Sequence, residues 1–151
     1  MPRKLAVLLL LALLLSCQPQ EGTVVTRVVD GDTIRVRDSS GQEYPVRYIG
    51  IDTPEVSGGV ECYGREATAR NRQLVESKRV RLEKDVSETD RFGRLLRYVY
   101  VNGTFVNARL VEEGYARARA YPPDVKYKET FAQLEREAKG KGAGLWGECQ
   151  R

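Results

Sequence analysis

Four carboxylates and an arginine stand beside two turn signals in strand-like sequence: Val29-Asp30-Gly31-Asp32-Thr33, and then Val46-Arg47-Tyr48-Ile49-Gly50-Ile51-Asp52-Thr53-Pro54-Glu55. Carboxylate oxygens gathered in this way suit a hard cation, and a guanidinium beside them suits an anion. Together they are the groups needed to attack a phosphate diester that already carries negative charge. Asp30 is the exception among the acids. Its place at the head of an Asp-Gly-Asp turn predicts a supporting role in that turn rather than a ligand role.

Histidine is absent from the 151 residues, which removes a histidine general base, a His-ligated zinc and a His-dependent nucleophile triad. Acid-base work must fall to carboxylates, Lys, Tyr or water. The formal charge is +4, and Arg3 and Lys4 near the N-terminus supply two of those charges, leaving about +2 for the rest. So mild an excess does not by itself indicate nucleic acid. Placement of the basic residues carries more information than their total.

The elements that must position these residues follow from pattern. With 41% apolar and 8% aromatic residues the chain can build an ordinary packed core, and its length suits one domain. Thr23 to Val29 and Thr33 to Arg37 read as strands around Asp30-Gly31-Asp32. Glu43 to Ile49 is a third strand, ended by Asp52-Thr53-Pro54 because Pro54 has no N–H for a ladder. Tyr63 to about Ser77 reads as an amphipathic helix, with Tyr63, Ala67, Leu74 and Val75 near helical spacing. Lys78 to Val86 and Leu95 to Val101 are two more strands, and Asn102-Gly103 is a hairpin turn. A short helix over Val106 to Glu113 stops at Gly114, and Tyr127, Phe131, Leu134 and Ala138 mark the core-facing stripe of another. Three strands, a helix, two strands and two helices predict an α+β domain, a small closed barrel with helices at one side.

At the N-terminus Arg3 and Lys4 precede an apolar run, Leu5 to Leu15, that would extend about 16 Å as a helix. That is too short for a hydrocarbon core of roughly 30 Å, so residues 1–16 read as a targeting signal. Leu14-Leu15-Ser16-Cys17 resembles a bacterial lipoprotein signal, in which Cys17 carries lipid and anchors the exported chain to a membrane; residues 17–22 then form a tether, and the folded domain runs over 23–149. The alternative is an ordinary secretory signal with an incidental Cys17. With Cys17 lipidated, Cys62 and Cys149 are left to pair in an oxidising compartment, where a bridge closing so long a loop adds on the order of 4 kcal/mol by chain-entropy arguments. Two buried free thiols are the alternative to that pairing.

Asp32, Arg47, Asp52-Thr53-Pro54-Glu55 and Thr89-Asp90-Arg91-Phe92-Gly93-Arg94, with Tyr63-Gly64 opening a helix and Leu145-Trp146 near the end, resemble the staphylococcal nuclease, or thermonuclease, family over nearly all of Thr23 to Trp146. The resemblance implies a five-stranded OB-fold barrel with about three α-helices and one bound Ca²⁺. It implies Asp32, Asp52 and the Thr53 carbonyl as metal ligands, with Glu55 reaching the ion through water. It further implies that Glu55 positions or deprotonates the attacking water, while Arg47 and Arg94 grip the phosphoryl oxygens. Forked guanidiniums match those oxygens as lysine does not.

Tyr121 resembles the family tyrosine lining the nucleotide pocket, and Phe92 stands where a further tyrosine is usual, able to pack on a base but without a hydroxyl. Pro122-Pro123 follows Tyr121 where the family pattern has another tyrosine, and the loop between Glu55 and Tyr63 is shorter than in the best-known member. The expectation is an exported, membrane-tethered, monomeric Ca²⁺-dependent endonuclease acting on DNA and RNA, single strands favoured, by in-line water attack with 3′-phosphate products. The alternatives are a noncatalytic OB-fold module binding single-stranded nucleic acid, and a structural envelope lipoprotein.

Overall fold

The computed structural model describes residues 22–149, so the leader, Cys17 and the tether up to residue 21 lie outside the described residues. Five strands close a barrel. β1 (Thr23–Val28) pairs antiparallel with β2 (Thr33–Arg37), and β2 with β3 (Glu43–Tyr48). After the two-residue β4 (Ile51–Asp52) and helix α1 (Gly64–Val75) comes β5 (Arg79–Glu83), which pairs antiparallel with both β1 and β6 (Leu95–Val101). The barrel closes where β3 runs parallel to β6, with Arg47 opposite Leu96. A parallel contact between the third and last barrel strands in an otherwise antiparallel ring is OB-fold topology.

Alternation along the strands decides what fills the barrel. Val25, Val28, Ile34, Val36, Val46, Tyr48, Val80, Val99 and Val101 point inward and are buried, while Arg27, Arg35, Arg37 and Arg81 face water. A short β7 (Thr104–Phe105) folds back on β6 across Asn102-Gly103, both residues at positive φ as the predicted hairpin turn requires. α2 (Val106–Glu112) follows, then β8 (Arg117–Ala118), α3 (Lys128–Lys141) and α4 (Leu145–Glu148).

The predicted stripe of α3 lands on the barrel. Phe131 and Ala138 are buried, and Phe131 joins Tyr98, Phe105 and Tyr127 in an aromatic cluster with neighbouring centroids 4.7 to 6.2 Å apart. Such pairs add about 0.5–1.5 kcal/mol each beyond area burial.

Three elements differ from the pattern-based expectation. The buried face of α1 is Gly64, Ala67, Asn71 and Val75, so a polar residue occupies a core position. It is satisfied there: the Tyr48 hydroxyl donates to Asn71 Oδ1 (2.9 Å), and Asn71 Nδ2 donates to the Asp30 carbonyl (2.9 Å). β4 and β8 form a separate antiparallel pair, Ile51 with Ala118 and Asp52 with Arg117, in segments too short to show alternation. α4 is a single turn, for the same reason invisible to helical periodicity.

Cys62 and Cys149 are joined in a disulfide with Cα atoms 5.8 Å apart. Cys62 is exposed and Cys149 half-buried, so neither is a buried thiol. Among the described residues no helix is long and apolar enough to cross a membrane.

Candidate active site

The turn between β1 and β2 is built by its own side chains. Asp30 Oδ1 accepts the Asp32 N–H (3.0 Å), and Val29 N–H donates to the Thr33 carbonyl (3.0 Å). Asp30 thus supports the turn, as its position predicts. Gly31 allows the turn to close on the neighbouring strand, since a Cβ there would stand 2.6 Å from Thr53 Oγ1. That approach delivers Asp32, 5% exposed, to the residues that follow β4. Asp32 Oδ2 accepts both the Thr53 N–H (2.8 Å) and the Thr53 hydroxyl (3.0 Å), and Oδ1 accepts the Thr33 hydroxyl (3.3 Å).

Arg47 stands opposite Thr33 in the β2–β3 register, which aims it at the same spot. Its Nη2 lies 3.1 Å from Asp32 Oδ2 and 3.0 Å from Asp52 Oδ1. Its Nη1 donates to the carbonyls of Tyr48 (2.9 Å) and Ile51 (3.0 Å). Four contacts hold the guanidinium in one orientation. Asp52 is itself placed by the β4–β8 pairing.

Arg94 arrives from the turn before β6. Asp90 caps that turn by accepting the N–H groups of Phe92 (2.9 Å) and Arg94 (3.0 Å), and its other oxygen binds Arg94 Nε at 2.7 Å. Arg94 Nη1 then reaches Thr33 Oγ1 at 3.5 Å, so hydrogen bonds and ion pairs connect Asp90, Arg94, Thr33, Asp32, Arg47 and Asp52 in one chain. Thr33 and Asp90 are the members that residue typing missed. Asp90-Arg91-Phe92-Gly93 is a turn signal in the sequence, but a threonine inside a strand gives no sign of such a link.

Burial shapes the acids unequally. Removal from water, reinforced by the charge of Asp30, pushes Asp32 up to about 6, although Arg47 and the two Thr53 bonds pull the other way. For Asp90 burial also raises the pKa, but the bonds from the Arg94 side chain and from the Arg94 and Phe92 N–H groups, with the Arg94 charge, together outweigh it and hold the carboxyl below its usual range.

Arg47 and Arg94 line one cavity of about 370 Å³ together with Asp90, Arg91, Phe92, Tyr121 and Asp124. Phe92 is 68% and Tyr121 58% exposed, two aromatic faces open to solvent at its mouth. Arg91 and Arg94 stack over the Phe92 ring at 4.7 and 5.5 Å, and Arg119 Nε donates to the Tyr121 hydroxyl (3.2 Å). Glu55 is exposed on the loop after Pro54. Chain connectivity keeps its Cα within about 11 Å of that of Asp52.

Asp32 and Asp52 offer hard oxygen donors that converge on a single guanidinium nitrogen, and among the described residues no group of three or more His, Cys, Asp or Glu side chains could hold a metal ion. A cation here would complete its shell with main-chain carbonyls and water, a mixture that Ca²⁺ accepts. Its charge would also offset the cost of ionising the buried Asp32.

The family described as "Staphylococcal nuclease homologue" matches residues 45–148. The chain is 41% identical over 129 residues to a thermonuclease of Staphylococcus intermedius, covering 83% of this chain and 76% of that protein. It is 41% identical over 125 residues to a thermonuclease of Staphylococcus hyicus, covering 81% and 73%. A third relative, the SPbeta prophage-derived endonuclease YokF of Bacillus subtilis (strain 168), is 45% identical over 125 residues, which is 80% of this chain and 42% of that longer protein. With closed barrel, carboxylate pair and arginine-lined cavity all present, the chain belongs to the staphylococcal nuclease family.

Proposed function

We propose that this protein is an endonuclease that hydrolyses phosphodiester bonds of DNA and RNA with Ca²⁺, by in-line water attack leaving 3′-phosphate products. The reading rests on one observation above all: Arg47, Arg94, Phe92 and Tyr121 line a single cavity, and the arginine at its edge grips Asp32 and Asp52. A phosphodiester moving toward its transition state gathers charge on the equatorial oxygens. Guanidiniums already fixed by their own hydrogen bonds stabilise that charge without reorganising.

Asp32, Asp52 and the Thr53 carbonyl would hold the cation, whose chemistry is to polarise a phosphoryl oxygen and neutralise the scissile phosphate. Glu55 orients the attacking water and takes its proton. Phe92 and Tyr121 offer π-faces to unpaired bases, which favours single-stranded or frayed substrate. The disulfide supports an exported protein, and the proposal adds a lipid at Cys17 that anchors a monomer to the membrane.

Cleavage of labelled single- and double-stranded DNA across a Ca²⁺ titration, with a chelator control, tests this reading. Calcium-dependent cleavage with 3′-phosphate ends is the expected result. Binding of DNA without cleavage at any Ca²⁺ concentration would overturn it.

A further inference from the structure

The loop that carries Glu55 is closed at its base by two reciprocal hydrogen bonds. Glu55 N–H donates to Glu61 Oε2 (3.0 Å), and Glu61 N–H donates to the Glu55 carbonyl (2.9 Å). Between them Gly58 and Gly59, at φ 77° and 139°, form a tip with wide conformational freedom, so the base bonds must do the ordering.

Behind the base the chain is packed tightly. The Glu61 carbonyl accepts Gly64 N–H (3.0 Å) at the start of α1, and a Cβ on Gly64 would stand 2.7 Å from the Glu55 carbonyl oxygen and 3.1 Å from that of Pro54. Cys62, next to Glu61, is bonded to Cys149 at the end of α4. Leu145 in that helix is 2% exposed and donates its N–H to the Gly114 carbonyl (2.9 Å). Glu61 and Cys62 also line a polar groove together with Asp52, so this bracket borders one of the two carboxylates that Arg47 holds.

We propose that Glu61 is a positioning residue for Glu55: its carboxylate fixes the Glu55 backbone, and the Cys62–Cys149 bond holds Glu61 in place against the C-terminal helix. The inference rests on the role given to Glu55 in the proposed function. Its physical basis is that a water-orienting carboxylate on a glycine-tipped loop loses effect steeply with misplacement, an ångström being worth about 100-fold.

The experiment compares E55A, E61A, E61Q and E55A/E61A in a single-stranded DNA cleavage assay at saturating Ca²⁺, with thermal midpoints recorded for each. E61A is expected to lower kcat about 10- to 100-fold with KM within about twofold, because chemistry and not binding is misaligned. E61Q, which keeps an oxygen to accept the Glu55 N–H, is expected to recover kcat to within about threefold of wild type. E55A/E61A is expected to match E55A alone, since Glu61 acts through Glu55.

Wild-type activity in E55A would refute the role of Glu55 itself. Loss in E55A beside an unchanged E61A would overturn the positioning inference alone. E61Q as impaired as E61A, or a double variant well below E55A, would overturn it as well. Should E61A fail to fold, C62S/C149S asks the same question by releasing Glu61's neighbour: reduced kcat at unchanged KM is expected, and wild-type kcat refutes the bracket.

Discussion

Arg47 Nη2 lies 3.1 Å from Asp32 Oδ2, and both groups are largely withdrawn from water, with side-chain exposures of 15% and 7%. The contact ties the proposed anion-binding group to the acid proposed to hold the cation, so neither can move without the other. The Tyr48 and Ile51 carbonyls pin the same guanidinium from its other side.

Replacing Arg47 by Ala is therefore expected to lower kcat/KM for DNA by at least about 100-fold, the scale of losing one preorganised transition-state donor. Lysine is expected to restore little of it. A single ammonium cannot span Asp32, Asp52 and two carbonyls while also facing phosphate. Steady-state cleavage kinetics of R47A and R47K check both statements, and near wild-type rates in R47K would contradict the forked geometry.

Phe92 and Tyr121 stand at the cavity mouth with most of their surface in solvent, so their truncation costs the fold little. F92A and Y121A are expected to weaken single-stranded DNA binding by about 1–3 kcal/mol each, the worth of one base–aromatic stack. The loss should appear in KM more than in kcat. Fluorescence anisotropy with a labelled oligonucleotide in Ca²⁺-free buffer measures it directly.

Asp124 links two loops far apart in sequence, its Oδ1 accepting the N–H groups of Val86 (2.9 Å) and Ser87 (2.8 Å). Burial raises its pKa, but the bonds from the Ser87 side chain and from the two backbone N–H groups outweigh that and leave it below the ordinary carboxylate value. Because the folded pKa lies below the unfolded one, the stabilisation is complete above the unfolded pKa of about 4 and is lost as pH falls through the folded value. D124A is expected to be less stable than wild type by about 1–3 kcal/mol at pH 7, with the gap narrowing below pH of about 4. Urea unfolding at several pH values tests the sign; a gap that widens in acid would contradict it.

The disulfide joins residues 87 apart in sequence. C62S/C149S is expected to lose about 2–4 kcal/mol of unfolding free energy, less than the roughly 4.5 kcal/mol that loop-closure entropy alone predicts, because unfolded chains retain some compactness. Urea midpoints with and without a reducing agent measure it, and equal midpoints would show that α4 is held by packing alone.

What could be read from the amino-acid sequence was whatever is local or periodic. The Asp30-Gly31-Asp32 and Asn102-Gly103 turns, the alternating valines of the barrel and the Tyr127-Phe131-Leu134-Ala138 stripe each announce themselves within a few residues, since backbone geometry and burial impose their own spacing. The candidate site residues Asp32, Arg47, Asp52 and Arg94 were legible as types in a recognisable order. Tertiary structure alone decided their partners. That Thr33 bridges Arg94 to Asp32, that Asn71 satisfies Tyr48 from a core position, that Asp124 caps the amides of Val86 and Ser87, and that Glu61 closes the loop of Glu55 are all hydrogen bonds whose partners periodicity does not name. Spacing reports which face of an element is withdrawn from water. Only the closing of the barrel, which sets β3 beside β6, and the separate pairing of β4 with β8 decide which buried group meets which.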